Sequence, residues 1–308
     1  MGKANAPKIS IIIASILAVV KIVFGLLVNS MAIIASAADS IFDIISSAIN
    51  FVAIKKSEEP PDEKHPYGHA KFESLATYIQ SLIILLSGGF ILYKSIIKII
   101  RKDPVTDLTT GIYIMTFSLI VTFFLVIYLN HMAKKTDSSV IEADALHYKV
   151  DLLSNGGVIL ALLIIKYTNF QIIDPIISIL TAFYIIYSAI KLNLKVSMEL
   201  LDTELPKEIK NDILNVLKQF DKYHLDTHKI RTRKAGNKKF LDMHITLCKN
   251  LTLEDAHKVA DLIENTLKKE IKDLDVTIHM DPCDEKTCPG FDACNNNKIR
   301  LDNNKQIK

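Results

Sequence analysis

Two aspartates lie four residues apart inside an otherwise apolar stretch of the chain. Asp39 and Asp43 belong to segment 31–54, which is long enough to cross a bilayer as a helix. At this spacing both carboxylates lie on one helix face. The same polar stripe also contains Ser36, Ser47 and Asn50. A carboxylate at mid-bilayer costs roughly 2.5–3.5 kcal/mol. Because two carboxylates also repel each other, at least one must be protonated or both must hold a cation.

A second polar stripe lies in the apolar segment 144–166. Its members fall at i, i+3, i+7 and i+11 on one helix face: Asp144, His147, Asp151 and Asn155. His147 and Asp151 lie deepest in the segment. If this face meets the aspartate pair, three carboxylates and one imidazole converge, a set that suits tetrahedral zinc better than a hard cation. The alternatives are a polar stripe that packs helices and a hydrogen-bonded core histidine.

The chain is apolar in its first two thirds and charged in its last third. Of its 308 residues 49% are hydrophobic, and most of the charge follows residue 195. Six apolar segments are each long enough to span a membrane: 9–28, 31–54, 75–99, 111–131, 144–166 and 171–192. The first carries Lys21, which we expect to reach the interface or to pair with a carboxylate. A net charge of +3 without a basic stripe argues against a nucleic-acid partner.

The distribution of basic residues predicts the orientation in the bilayer. An even number of spans puts both termini on one side. The basic residues assigned to that side are Lys3, Lys8, Lys55, Lys56, Lys64, Lys71, Lys134 and Lys135. The opposite side carries Arg101, Lys102 and Lys166. The excess predicts a multi-pass membrane protein with both termini in the cytoplasm.

The loop between the second and third spans carries a candidate surface site. Pro60 and Pro61 break the helix, and Asp62, His65 and His69 then follow within reach of one metal ion. A solvated charged loop is the alternative, and spacing alone does not decide between them.

The polar third of the chain predicts a small two-layer α/β domain. Its segments, in order, are helix 206–219, strands 227–234 and 239–248, helix 254–271 and strand 274–281. Alternation along the strands puts His244, His279 and Asp281 on polar faces, available as ligands. His257 lies on the second helix and His228 opens the first strand. The alternative is a set of titratable surface histidines.

Sequence composition predicts three regions. Residues 1–200 form a six-helix membrane domain, 201–284 a soluble α/β domain with candidate metal ligands, and 285–308 a disordered tail. Cys283, Cys288 and Cys294 near the end match no zinc motif, and we expect them to be reduced.

Several motifs together resemble the cation diffusion facilitator family, in particular its bacterial-type zinc exporters. They are ADSIFD at 38–43, HPYGHAKFES at 65–74, HYKVD at 147–151, LLDTELP at 200–206, HKIRTR at 228–233, AHKVAD at 256–261 and IHMDPC at 278–283. The resemblance covers about residues 8–284 in order. It implies six transmembrane helices, a cytoplasmic α/β domain that is ferredoxin-like and metallochaperone-like, and a homodimer.

The resemblance also implies a role for each candidate residue. The implied transport site is Asp39, Asp43, His147 and Asp151. The implied surface site is Asp62, His65 and His69. The implied dimer-stabilising cluster is His228, His244, His257, His279 and Asp281. Lys71 and Asp202 match an inter-domain charge interlock. His147 stands where manganese carriers of the family have aspartate, which implies zinc, whereas Met280 departs from the polar residue that some relatives have.

The expected function is export of a divalent cation, Zn²⁺, in exchange for protons, across the inner membrane and regulated by zinc. An enzyme is not expected, because the His-Glu-x-x-His pattern of a metalloprotease is absent. Two alternatives stay open: an exporter selective for Fe²⁺, Mn²⁺ or Cd²⁺, and a membrane-anchored metal sensor without transport.

Overall fold

The chain divides into two compact units, with the boundary between Leu201 and Asp202. The computed structural model describes residues 3–27, 31–101, 112–168, 172–221 and 225–284. The predicted tail 285–308, with Cys288 and Cys294, lies outside the described residues.

The first unit consists of long helices that correspond to the six predicted spans. They run Asn5–Leu27 (α1), Met31–Ser57 (α2), Lys71–Arg101 (α3), Ile112–Thr136 (α4), Ser139–Thr168 (α5) and Ile173–Leu200 (α6). Among the residues that the structure describes, five of these helices contain a segment long and apolar enough to cross a membrane: α1, α3, α4, α5 and α6. The remaining helix of this unit, α2, is 27 residues long and carries the aspartate pair.

Small residues let these helices approach closely. Ala6, Ser10, Ala14 and Ala18 recur every fourth residue on α1, and each is at most 4% exposed. On α3, a Cβ atom at Gly88 would lie only 2.9 Å from Cγ2 of Ile185 on α6. Close packing of small residues is how helices associate where lipid offers no hydrophobic driving force.

Large apolar side chains cover the outside of the first unit. Leu27, Leu86 and Phe124 are 75%, 73% and 64% exposed. A soluble domain would bury such side chains, whereas contact with acyl chains leaves them at no disadvantage. Several polar residues of this unit are nevertheless buried between the helices, among them Ser10, Asn50 and Asp144.

The second unit is the predicted two-layer α/β domain. Its helices are Lys207–Lys218 (α7) and Leu253–Glu270 (α8), and its strands are Asp226–Ala235 (β1), Lys238–Leu247 (β2) and Leu274–Pro282 (β3). The sheet order is β1-β2-β3. β1 and β2 are antiparallel and are joined by a turn in which Gly236 has φ of 59°. β2 and β3 are parallel, and α8 provides the crossover that such a pair requires.

The two faces of this sheet differ in polarity, as the alternation predicts. Leu241, Met243 and Ile245 of β2 are at most 1% exposed and pack with apolar residues of α7 and α8. The intervening residues Asp242 and His244 therefore lie on the face away from the helices. This polar face carries the histidines of the second unit's candidate site.

Candidate metal centres

The first cluster lies between α2 and α5. Asp43 comes from α2, and His147 and Asp151 come from successive turns of α5. Nε2 of His147 lies 3.0 Å from Oδ1 of Asp43 and 4.0 Å from Oδ2 of Asp151. One ligand atom from each residue lies within 4.8 Å of the others. Oδ2 of Asp151 is buried without a hydrogen-bond partner, as expected for a carboxylate oxygen that binds a cation.

Asp39 lies outside this group of three. It is one helical turn before Asp43 on α2, and its side chain is exposed. The predicted four-residue site therefore has three members gathered in this structure. Asp43 and His147, which meet across the two helices, nevertheless belong to the two predicted stripes.

A buried network lies one turn from the first cluster. Asp144 of α5 is 1% exposed, and its Oδ2 accepts a hydrogen bond of 2.8 Å from Ser10 of α1. Its Oδ1 accepts bonds from Ser47 at 3.3 Å and Asn50 at 3.0 Å, both on α2. The hydroxyls of Ser47 and Tyr148 lie 3.0 Å apart. The sequence placed Asp144 in the α5 stripe but gave it no role, and no sequence spacing would have indicated its partner on α1.

Lys21 lies inside the first unit, with 8% of its surface exposed. Its ammonium donates to Oγ of Ser40 at 2.9 Å and to the carbonyl of Ser36 at 3.3 Å, both on α2. The expectation that Lys21 reaches the interface is wrong, because the residue is buried. These hydrogen-bond acceptors are a hydroxyl and a carbonyl rather than the expected carboxylate.

The second cluster lies in the loop between α2 and α3. Nδ1 of His65 and Nε2 of His69 lie 3.1 Å and 3.3 Å from the two carboxylate oxygens of Asp62. Nδ1 of His69 lies 3.2 Å from the carbonyl oxygen of Pro60. A carbonyl only accepts, so Nδ1 donates, and the neutral imidazole carries its lone pair on Nε2, which is buried beside Asp62 without a hydrogen bond. A hydrogen bond from the other ring nitrogen to a carbonyl oxygen is the contact that commonly orients metal-binding histidines.

Asp62 is held in its ionised form by the loop itself. Its Oδ1 accepts the backbone N–H groups of His65 at 2.6 Å and Lys64 at 2.9 Å. These bonds, with the His65 N–H the strongest influence, hold the pKa of Asp62 below its usual value. The loop therefore offers one carboxylate and two imidazoles that could hold a metal ion.

The third cluster lies on the polar face of the sheet. The register pairs His228 with His244 and His244 with His279, so three imidazoles stand side by side on three strands. Asp281 joins them: its Oδ2 lies 2.8 Å from Nδ1 of His244 and 3.2 Å from Nε2 of His228. Its Oδ1 lies 3.2 Å from Nε2 of His279. The hydrogen bond with His244 and the other nearby imidazoles lower the pKa of Asp281.

Three other predicted residues lie apart from these clusters. His257 is exposed on α8, where its Nε2 lies 3.4 Å from Oδ2 of Asp261. Asp202, at the start of the second unit, lies 3.5 Å from Nη1 of Arg233. Lys71 begins α3 in the first unit. The Lys71–Asp202 interlock and the ligand role of His257 stay predictions.

The fold is that of a helical membrane protein, and its clusters offer ligands that could hold metal ions. The family model of the cation efflux transmembrane domain matches residues 8–201, and that of the cation efflux protein, cytoplasmic domain, matches residues 205–283. The chain belongs to the cation efflux family. This confirms the predicted family and fold class, and it confirms that the protein is a transporter rather than an enzyme.

Two similar proteins are cation-efflux pumps that match this chain over most of their length. The cation-efflux pump FieF of Salmonella paratyphi A (strain ATCC 9150 / SARB42) is 34% identical over 270 residues, which cover 88% of this chain and 89% of the relative. The FieF pump of Salmonella newport (strain SL254) gives the same figures. The protein is therefore a membrane transporter that exports divalent metal cations.

Two similar solved structures each cover about a quarter of this chain. The putative zinc transporter CzrB in its zinc form is 29% identical, covers 26% of this chain and 90% of its own, and has a TM-score of 0.25. The metal-bound C-terminal domain of the CzcD transporter from Thermotoga maritima is 34% identical, covers 24% of this chain and 87% of its own, and has a TM-score of 0.23.

Proposed function

We propose that this transporter exports Zn²⁺ from the cytoplasm in exchange for protons, with Asp43, His147 and Asp151 as the core of the transport site. The observation that carries the proposal is the convergence of these side chains from α2 and α5 inside the apolar unit, with His147 and Asp43 in contact at 3.0 Å. Asp39, one turn away on α2, completes a four-ligand set when the cation is bound.

The donor set favours zinc as the cargo. Zinc takes imidazole nitrogen and carboxylate oxygen in a tetrahedral arrangement, whereas Mg²⁺ and Ca²⁺ take six or more oxygens. Fe²⁺, Mn²⁺ and Cd²⁺ are the competing cargoes, and the single imidazole, His147, is the residue that discriminates among them.

Proton exchange follows from the ligands that zinc requires. A carboxylate or imidazole binds metal only in its deprotonated form, so zinc binding and proton release are linked. Rocking of the helices, with the site opening first to the cytoplasm and then outward, lets protons on the outer side displace the ion. His147 is the proposed proton carrier because imidazole is the side chain that changes charge near neutral pH.

The cluster of the cytoplasmic domain is the proposed regulatory site. His228, His244, His279 and Asp281 would hold a zinc ion, since Asp281 already gathers the three imidazoles. Two copies of the domain form the homodimer, and His257 contributes from α8. Filling of this site at high cytoplasmic zinc stiffens the dimer and biases the transport equilibrium. The protein lies in the inner membrane with both termini in the cytoplasm.

The test is zinc flux into proteoliposomes that contain a zinc-sensitive dye and are held in a proton gradient. The native protein should load zinc, Asp43→Ala should abolish loading, and Lys195→Met, which removes an exposed charge on α6, should not change it. Flux that is independent of the gradient contradicts the proton exchange. A folded native protein without flux supports the sensor instead. Competition with Fe²⁺, Mn²⁺ and Cd²⁺ in the same vesicles identifies the cargo.

A further inference from the structure

The polar residues of α2 form one continuous stripe that runs through the first unit. The spacing of 4, 3, 4 and 3 residues keeps its members on one side of the helix: Ser36, Ser40, Asp43, Ser47 and Asn50. Asp43 lies in the middle of this stripe and contacts His147 of the proposed transport site. One end of the stripe, Ser47 and Asn50, binds the buried carboxylate of Asp144. The other end, Ser36 and Ser40, binds the ammonium of Lys21.

Lys21 therefore places a positive charge beside the proposed transport site. Its partner Ser40 is three residues before Asp43, which is about one helical turn or ~5 Å along α2. Both of its hydrogen-bond acceptors are neutral, so they do not cancel its charge. Because Ser40 and Asp43 lie on the same side of α2, the ammonium is close enough to attract the carboxylate of Asp43. Buried charges interact more strongly than charges in water, so this attraction reaches beyond direct contact.

We propose that Lys21 is a built-in counter-cation of the transport site, a residue that weakens the binding of a divalent cation so that the ion can leave. This inference rests on the proposed function. Its ammonium balances part of the carboxylate charge when the site holds no ion, and it repels the ion when the site is filled. A transport site without this charge would bind the cation tightly and release it slowly.

A purely structural role for Lys21 would give the opposite change in cation affinity when the residue is replaced. If Lys21 serves only to join α1 to α2, its loss should loosen the site and weaken cation binding. If its charge is what matters, neutral replacements should strengthen binding. Lys21→Gln is the most informative variant, because glutamine keeps N–H donors for Ser36 and Ser40 but carries no charge.

The experiment measures Zn²⁺ affinity by chelator competition and zinc flux in proteoliposomes. The full-length protein carries Asp62→Ala and Asp281→Ala to remove the two other candidate sites. We expect Lys21→Gln and Lys21→Met to bind Zn²⁺ about tenfold more tightly and to transport it at least several-fold more slowly at saturation. Lys21→Arg, which keeps the charge, should stay near the native values. Lys195→Met, which removes a charge from the exposed part of α6, is the matched control.

Unchanged or weaker Zn²⁺ binding in both neutral variants would overturn the inference while leaving the proposed function intact. So would neutral variants that do not fold, because Lys21 would then be a structural residue. If the protein with intact Lys21 neither binds zinc at Asp43 nor transports it, the proposed function itself fails. Tighter binding together with slower turnover supports the counter-cation.

Discussion

The transmembrane cluster and the cytoplasmic cluster combine the same two ligand types on different kinds of scaffold. Asp43 faces His147 and Asp151 across two helices, with distances of 3.0 Å between helices and 4.0 Å within α5. His228, His244 and Asp281 belong to three strands of one sheet, with contacts of 2.8 and 3.2 Å. Carboxylate and imidazole chemistry is common to both, so the difference between the clusters lies in what fixes their geometry.

Backbone hydrogen bonds fix the cytoplasmic cluster but not the transmembrane one. The ladder between β1, β2 and β3 sets the register of the histidines, and moving one strand would break that ladder. No ladder joins two helices, so side-chain packing and the Asp144 network set the spacing of α2 and α5. A site between helices can open when the helices move, whereas a site on a sheet stays formed. The first suits a cargo, and the second suits a regulatory ion.

Removal of one imidazole from each cluster should separate the two roles most clearly. We expect His147→Ala to reduce zinc flux by more than about a hundredfold, because a ligand of the cargo is lost. His244→Ala should leave flux within about tenfold of the native rate. Flux in proteoliposomes measures both effects. Comparable losses in the two variants would contradict the assignment of cargo and regulation to separate clusters.

Replacing the imidazole by a carboxylate should change the selectivity of the transmembrane cluster. His147→Asp gives an all-oxygen site, which suits Mn²⁺ better than zinc. We expect the ratio of zinc to manganese flux to fall by about tenfold or more. The same substitution at His244 should leave this ratio unchanged and serves as the control. A ratio of zinc to manganese flux that falls in His244→Asp and not in His147→Asp would contradict the assignment of the cargo to the transmembrane cluster.

Asp39 offers a test of whether the transmembrane cluster changes when it binds a cation. Its side chain is exposed and lies outside the group of three. If α2 brings it in on binding, Asp39→Asn should weaken zinc binding by about tenfold, approaching the effect of Asp43→Asn. Chelator competition on purified protein measures both affinities. An unchanged affinity in Asp39→Asn would mean that three protein ligands suffice.

The smallest expected effect concerns pH at the cytoplasmic cluster. The pKa of Asp281 is lowered, chiefly by its hydrogen bond with His244, so its carboxylate stays charged as pH falls from 8 to 6. The stabilisation from that charge is present above the ordinary aspartate pKa of about 3.9 and is lost only as pH falls through the lower folded value. Loss of the Asp281 charge should therefore not weaken zinc binding between pH 8 and 6, and the native protein should bind zinc more tightly than Asp281→Asn throughout this range. Equal affinities of the two proteins at pH 6 would contradict this.

The positions of helices, strands and polar faces were predictable because they depend on local spacing. The apolar segments became α1 to α6, and alternation in β2 separated Leu241 and Met243 from His244. The joining of Asp43 to His147 also followed from the stripes, since a buried carboxylate requires a partner. The partners of Asp144 and Lys21 did not follow, because they depend on which side of α1 packs against α2.

The residues alone determined which ligands this protein has and on which faces of helices and strands they lie, because a period of 3.6 or 2 residues fixes direction within one element. Tertiary structure decided which of them meet. It gathered His147 with Asp43 and Asp151 and set Lys21 beside them, while Asp39 lies outside. The physical reason is that contacts between elements depend on packing over the whole surface of each helix, which no spacing within a single segment records.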